Sequence, residues 1–499
     1  MIPLSDIISQ MTKEERSKFA SFLKKRGKQT DSKKLTLLKL ISDKKVAVNQ
    51  IPEKIYGKDN RVAYHQLRKR LFNELVDFIS TERFNQEEEE ILQITKLILA
   101  GKHLIENKNY KSGFKLLTNA EKKAIEENDV VSLNEIYNLL IQFSHYNSEL
   151  DLDEAIKSLE SNRVQLIQES NLNMAYAMVK SKLDEFILNG IEVDIETLLF
   201  EVFERFNITE SSGNNYKTLY QLVQIVSASA NINKDYEPII PFVTARYNII
   251  SRKEEEKNRH VFFHFKLLYF MANIFFREKK FDRSNFYLEK MVSLLDTNKK
   301  YKKLFETKMR VLKSLNTNYL GENQKASELI ETVIGSKFNH KDKDYLDAMI
   351  VCSMIYFHQK EFKKVQTMLS KLRSSDTYYM KLMGANWVMN KNLIEILTHI
   401  ELENLDYVDS RLDSFLRINK DYLKQDNRAT VFLKFLKVSY SQPEKLKSPE
   451  FEERFYSSVE VKPRLREDIY IMSFFAYLKA KMSGTDTYET TLELVRGIS

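Results

Sequence analysis

Apolar residues along this chain recur at helical rather than strand spacing, and from residue 110 onward they recur in blocks. Each block opens with a short polar turn and then an apolar or aromatic residue. A small residue follows three positions on, and an apolar residue seven positions on. Tyr110, Gly113 and Leu117 form one such set; Leu152, Ala155 and Leu159 another; Phe281, Ser284 and Leu288, and Phe362, Val365 and Leu369, two more. Filling the gaps with Val193, Tyr236, Asn323 and Leu405 gives eight anchors spaced 39 to 45 residues apart. Position +7 is apolar at all eight, and position +3 is small or aliphatic at seven, Glu196 being the exception. Residues 0, +3 and +7 share one helix face, and a small +3 residue lets the preceding helix come close. The spacing therefore predicts pairs of helices joined by short turns, each burying its apolar face on its neighbours.

The segment Leu150, Asp151, Leu152, Asp153, Glu154, Ala155, Ile156 resembles the opening of a tetratricopeptide second helix. Lys108, Asn109, Tyr110 and Lys360, Glu361, Phe362 resemble the same turn with its aromatic residue. The resemblance covers roughly residues 85–440. It implies a TPR-like, right-handed superhelical solenoid of antiparallel helix pairs with a concave surface for a peptide or protein partner. The period is longer than the family's ~34 residues, Trp387 is the only tryptophan, and no proline occurs between Pro52 and Pro238 or between Pro241 and Pro443. A HEAT-type solenoid of similar period is the alternative.

The two ends depart from the repeat, so three segments are expected: a basic N-terminal helical domain over 1–82, TPR-like repeats over 83–440 and C-terminal capping helices over 441–499. In the first, Thr12 and Glu15 form a capping box, and the helix they open carries Phe19, Phe22 and Leu23 to a cap at Gly27. A second helix is expected over about 32–42. A third begins near Asn60 with Tyr64, Leu67, Leu71, Leu75 and Phe78 at helical spacing. Ile51, Pro52 and Gly57 punctuate an irregular stretch between them. At the other end, Pro443, Pro449 and Pro463 predict a break, then a helix over about 465–482 that caps the stack.

Composition supports an all-α fold. Glycine (11) and proline (7) are scarce in 499 residues, and turn-rich sheets need both. Cys352 is the single cysteine, so no internal disulfide forms. Neither a signal peptide nor an apolar run of membrane-spanning length is evident: the most apolar stretch, 261–276, is interrupted by His264, Lys266 and Asn273. A cytoplasmic protein without membrane insertion is expected. The charge is asymmetric. Residues 1–80 hold 18 basic against 9 acidic side chains, whereas the remainder holds 60 against 61.

That basic head supplies the sharpest candidate contacts. Lys24, Lys25, Arg26, Lys33, Lys34, Arg68, Lys69 and Arg70 form clusters able to meet phosphates or an acidic partner. Three consecutive residues fan over about 200° of a helix, so Arg68 and Arg70 should flank the apolar stripe while Lys69 points away. Catalytic, cofactor-binding and metal-ligating motifs are not found: there is no phosphate-binding glycine loop, paired-cysteine motif or zinc-protease helix. His260 and His264 stand at metal-ligand spacing, but among phenylalanines they read as packing histidines, and Cys352 reads as an inert core thiol. Of the adjacent Tyr378 and Tyr379, one should turn outward. The sequence thus predicts a non-enzymatic scaffold that binds a peptide or protein partner in the solenoid groove. The rival expectation is a nucleic-acid-binding regulator with a helix-turn-helix-like head over 1–82 and a TPR-like sensor, a layout similar to that of the peptide-sensing regulators.

Overall fold

The computed structural model describes residues 4–11, 13–26, 32–43, 50–58, 60–83, 89–189, 195–209, 212–233, 236–253, 260–335, 342–418, 427–458 and 467–497. Among them every regular element is a helix. The chain divides into two compact units, residues 1–165 and 166–499. That division falls inside a helix.

The first unit opens with α1 (Leu4–Gln10), α2 (Lys13–Arg26), α3 (Ser32–Asp43), α4 (Ile51–Tyr56) and α5 (Arg61–Arg83). They share a core of Phe19, Leu23, Leu37, Leu71, Leu75 and Phe78, and the stripe expected from Tyr64 to Phe78 is buried as a whole. The stretch read as irregular is instead the short helix α4. Pro52 stands in its first turn, where its missing N–H costs nothing. The capping box at Thr12 and the cap at Gly27 fall on residues outside the described set. Next come α6 (Glu89–Glu106), α7 (Tyr110–Glu127), α8 (Val130–Gln142) and the start of α9 (Leu152–Asn189). α6 and α7 cross at glycine. A Cβ on Gly113 would stand 2.5 Å from Ile105 Cγ1 and 2.9 Å from the Gly101 carbonyl oxygen. The small +3 residue is a packing requirement here.

The second unit continues α9 and adds α10 (Ile195–Arg205), α11 (Tyr216–Asn233), α12 (Ile239–Ser251), α13 (Val261–Arg277), α14 (Phe281–Thr297), α15 (Lys302–Tyr319) and α16 (Asn323–Ile334). It then runs through α17 (Lys343–His358), α18 (Phe362–Leu369), α19 (Asp376–Met383), α20 (Ala385–Glu401) and α21 (Leu405–Ile418). α22 (Asn427–Ser441), α23 (Pro449–Ser458), α24 (Ile469–Ser483) and α25 (Thr487–Arg496) close the described chain. Within this unit α13 pairs with α14, α15 with α16, α17 with α18 and α20 with α21, and the first helices of successive pairs also touch one another.

Six anchors (Tyr110, Leu152, Phe281, Asn323, Phe362 and Leu405) are the first residues of their helices. One turn geometry explains the regularity at five of them. The residue two before the anchor takes the left-handed conformation: Lys108, Lys279, Gly321, Lys360 and Glu403, with φ from 56° to 104°. The next N–H then reaches back five residues, as Asn109 to Leu104, Lys280 to Phe275 and Glu361 to Tyr356, over 2.8–2.9 Å. This closure ties off the last carbonyls of the first helix. The same residue's carbonyl then accepts from position +3, as Asn109 from Gly113 and Glu361 from Val365. Each turn therefore ends one helix and starts the next at a fixed register.

The spacing fails at the third anchor. Val193 lies outside the described residues, and its +7 residue, Phe200, is 70% exposed while Leu198 and Val202 are buried. The preceding turn is missing too, because α9 runs unbroken for 38 residues. No glycine or proline interrupts 150–189, so nothing there stops a helix.

Candidate functional site

The surface on which a helical repeat would seat a partner is that of the first helices, and the chain itself covers half of it. Counted back from the anchors at 281, 323, 362 and 405, position −8 is Asn273, Leu315, Met354 and Leu397, and position −12 is Tyr269, Val311, Ile350 and Leu393. In the last three repeats both rows are apolar and buried, in one core with Ile469, Met472, Tyr477 and Leu478 of α24. In the first, Tyr269 and Asn273 are only half-buried.

α24 crosses the carboxyl ends of four first helices in order. Lys279, just past α13, donates to the Glu467 carbonyl (2.6 Å). Tyr319 of α15 meets Ser473 (3.3 Å). Phe357 of α17 stands 5.9 Å from the Tyr477 ring. Glu401 of α20 accepts from Tyr477 Oη (2.6 Å) and pairs with Lys481 (2.7 Å). α25 then folds back over the turns: Asp486 pairs with Lys360 (2.7 Å), Tyr488 donates to the Asn318 carbonyl, and Arg496 donates to that of Leu320 (3.2 Å). The expected helix over 465–482 is present as α24, but it and α25 lie along the side of the pairs. A polar cavity of about 540 Å³ remains between α25 and the turn at Lys360, with Glu331, Tyr356 and His358 in its wall. His358 is wholly enclosed, and burial pushes its imidazole down to about 3.

The amino-terminal halves of the same helices stay open. Position −15 reads Lys266, Lys308, Asp347 and Asn390, none of them buried. Lys266 Nζ lies 4.4 Å from the Phe262 ring centre and 5.4 Å from that of Tyr220. Its ammonium is held below the usual range by burial and then by Lys308. Lys308 reaches Asp344 at 3.7 Å. Solvent reaches Asp347, yet protein surrounds it closely: burial, followed by Asp344, pushes its carboxyl up to about 6, and the Trp387 indole faces it. Half-open aromatics beside charges of both signs suit an extended peptide with polar and charged side chains.

The basic candidates of the head differ in their surroundings. Lys24 and Lys25 are exposed on α2, and the side chain of Arg26 lies outside the described set. Lys33 is exposed, 4.4 Å from the Tyr56 ring centre. Lys34 is tied to Glu74 (2.9 Å) and Arg68 lies over Tyr64 (5.8 Å). Lys69 and Arg70 are exposed. Arg70 therefore faces outward together with Lys69, while Arg68 alone flanks the stripe closely.

Elsewhere the chemistry-bearing groups are packed into the fold. His264 stacks on Tyr216 (3.8 Å between ring centres) and meets Tyr247 Oη at 3.3 Å. Burial, with Lys290, lowers it to about 3. His260 takes the left-handed conformation just before α13. Among the described residues no group of three or more His, Cys, Asp or Glu stands ready to hold a metal ion. Cys352 is fully buried, which pushes its thiol up to about 12. Tyr379 is buried 5.3 Å from Trp387, and Tyr378 turns outward. Asp376, Lys391, Arg411 and Glu395 form a charge-balanced cluster with contacts of 2.7–3.2 Å. Burial would raise Asp376, but Lys391, Arg411 and Asn392 outweigh it and hold the acid low.

That α24 and α25 pack along the first helices escaped the sequence reading, although a signal was present. From Ala348 to Phe357 no charged residue occurs, and a helix apolar on every side must be covered on every side.

An all-α protein of packed helix pairs is the class the fold defines. Compared with known proteins, the chain matches no family model, and no curated protein is similar enough to suggest a relationship.

Proposed function

We propose that this chain is a non-enzymatic interaction scaffold of the tetratricopeptide-like kind, working in the cytoplasm, that holds an extended segment of a protein partner on the open half of the first-helix face. The observation that carries the reading is the division of that face. Where its rows are apolar, they are buried in one core with the chain's own α24. Where they carry Lys266, Tyr269, Asn273, Lys308 and Asp347, the surface stays accessible. A photo-crosslinking residue at Phe262, compared with one at the exposed Leu405, tests it in native lysate. A protein captured from position 262 and lost on Lys266→Glu supports the scaffold. Equal capture from both positions, or none, removes it.

A second reading, that the head binds nucleic acid while the repeats sense a partner, is favoured by one observation. Four residues separate α4 from α5, and the first of them, Gly57, is left-handed, a spacing that a helix-turn-helix also has. Retention of a duplex by the full-length protein, weakening steeply with salt, tests that reading.

A further inference from the structure

The turn between α4 and α5 is built to hold its second helix in place. Gly57 adopts φ 71° and donates to the Glu53 carbonyl, closing α4. Asn60 caps α5, its Oδ1 accepting from the Ala63 N–H (3.1 Å). Tyr56 Oη donates to the Ala63 carbonyl (3.1 Å), tying the end of α4 to the first turn of α5. Tyr64, Leu67, Leu71 and Leu75 then fix the helix by its buried side.

The opposite side of α5 carries Arg61, Val62, His65, Gln66, Lys69, Arg70 and Asn73, all exposed. From 61 to 77 the helix holds four basic residues and two acids; Glu74 is bonded to Lys34, and Asp77 is exposed one turn beyond Asn73. Val62 is 72% exposed, more than any other large hydrophobic residue of the described chain, and it serves no core. Arginine, glutamine and asparagine make the paired hydrogen bonds that distinguish bases, and an exposed aliphatic side chain meets the thymine methyl. Arg61 to Asn73 spans about 18 Å of helix, longer than the ~12 Å width of a DNA major groove. Lys33, held at the Tyr56 ring, stands beside the entry to α5, where a phosphate backbone would pass.

We propose that α5 is a reading helix for double-stranded DNA. Arg61, Val62, His65 and Gln66 meet base edges in the major groove, and Lys33, Lys69 and Arg70 meet phosphates. The proposal rests on the second reading above and names its partner and contact face. It departs from the clusters of consecutive basic residues picked out in sequence: Lys34 and Arg68 are engaged within the head, and Arg61, Val62, His65 and Gln66 join.

Full-length protein is titrated with a fluorescent random-sequence duplex over a range of salt and read by anisotropy. Lys69→Glu with Arg70→Glu should weaken binding by about tenfold or more and flatten the salt dependence by about two ions. Lys111→Glu with Lys115→Glu, an equal charge change on exposed residues of α7, should leave binding nearly unchanged. Gln66→Ala and Val62→Ser should alter the consensus selected from a random pool while affinity for random duplex stays the same. Unchanged melting curves for all variants exclude unfolding. If the wild type retains no duplex at low salt, the second reading falls and the inference with it. If duplex is retained but the α7 pair, or Lys24→Glu with Lys25→Glu, weakens it as much as the α5 pair does, the assignment to α5 is wrong while the head remains a nucleic-acid binder. Equal affinity for single-stranded RNA or an acidic polypeptide overturns the duplex.

Discussion

The covered and the open parts of the first-helix face are built from equivalent helices in the same register, and they differ in what stands at positions −12 and −8. In the repeats anchored at 323, 362 and 405 those rows are aliphatic or methionine, and they are buried in one core with α24. In the repeat anchored at 281 they are Tyr269 and Asn273, and water reaches them. An apolar row on a repeat surface calls for a permanent cover, because each buried aliphatic side chain contributes about 1.5–3 kcal/mol. A mixed row stays soluble and stays available to a partner. The difference separates what holds this protein together from what it can offer.

Removing the cover is the most severe way to break that comparison. A chain ending at Ser458 should lose cooperative unfolding and associate, since exposing Ile469, Met472, Tyr477 and Leu478 and their partners forfeits more than the ~5–15 kcal/mol that holds a typical domain. Sedimentation and a calorimetric scan check this; a monomer with a single sharp transition would show that the open half and the covered half fold independently of α24.

Acid titration probes both halves from within, because His264 lies under the open one and His358 under the covered one. Both imidazoles are held near 3 in the fold, below their value in the unfolded chain. The unfolded state therefore binds more protons, and stability that is full above about pH 6.5 falls as pH drops toward 3, by at most ~1.4 kcal/mol per pH unit for each histidine. Urea unfolding at several pH values should show this slope, and His264→Gln and His358→Gln should each remove about one proton from it. An unaltered slope in His358→Gln would place the acid sensitivity elsewhere.

A substitution at one row position sharpens the contrast further. Leu397→Ala should cost about 2–5 kcal/mol, whereas Asn273→Ala at the same position of the open repeat should stay within ~0.5 kcal/mol. Equal costs by chemical denaturation would mean that the open half is as structurally committed as the covered one. The smallest effect is expected at Asp347. Its raised carboxyl favours the protonated form in the fold, so it contributes relative stability that grows as pH falls through 6. Asp347→Asn should then raise the melting temperature slightly at pH 7.5, by no more than ~1 kcal/mol equivalent given the solvent around it, and have no effect at pH 4. A partner's cationic side chain seated there would do the same at neutral pH.

Much of the architecture was legible in sequence because it is local. Six anchors open helices, five of them after a left-handed residue two positions earlier, and the small or aliphatic residue three positions later is a short-range packing demand that residue type expresses directly. The stripe from Tyr64 to Phe78 was equally legible, because one helix face faces one core. Where no turn residue marks the chain, as across 150–189, the same logic called for a break that the backbone does not make, and the register slipped so that Phe200 emerged at the surface.

Sequence by itself determined the helical class, the repeat length, the basic head and the burial of Cys352, because composition, periodicity and the placing of a lone thiol among apolar neighbours are readable residue by residue. Only the tertiary structure decided that α24 and α25 lie along the repeats, that Arg70 faces outward while Lys34 and Arg68 are engaged, and that Arg61, Val62, His65 and Gln66 share the exposed side of a helix held by a left-handed turn. Those facts depend on contacts between residues more than a hundred positions apart or on which of two neighbouring basic side chains finds a carboxylate or a ring. No local pattern encodes either, because an apolar row looks the same whether a partner or the chain's own helix comes to cover it.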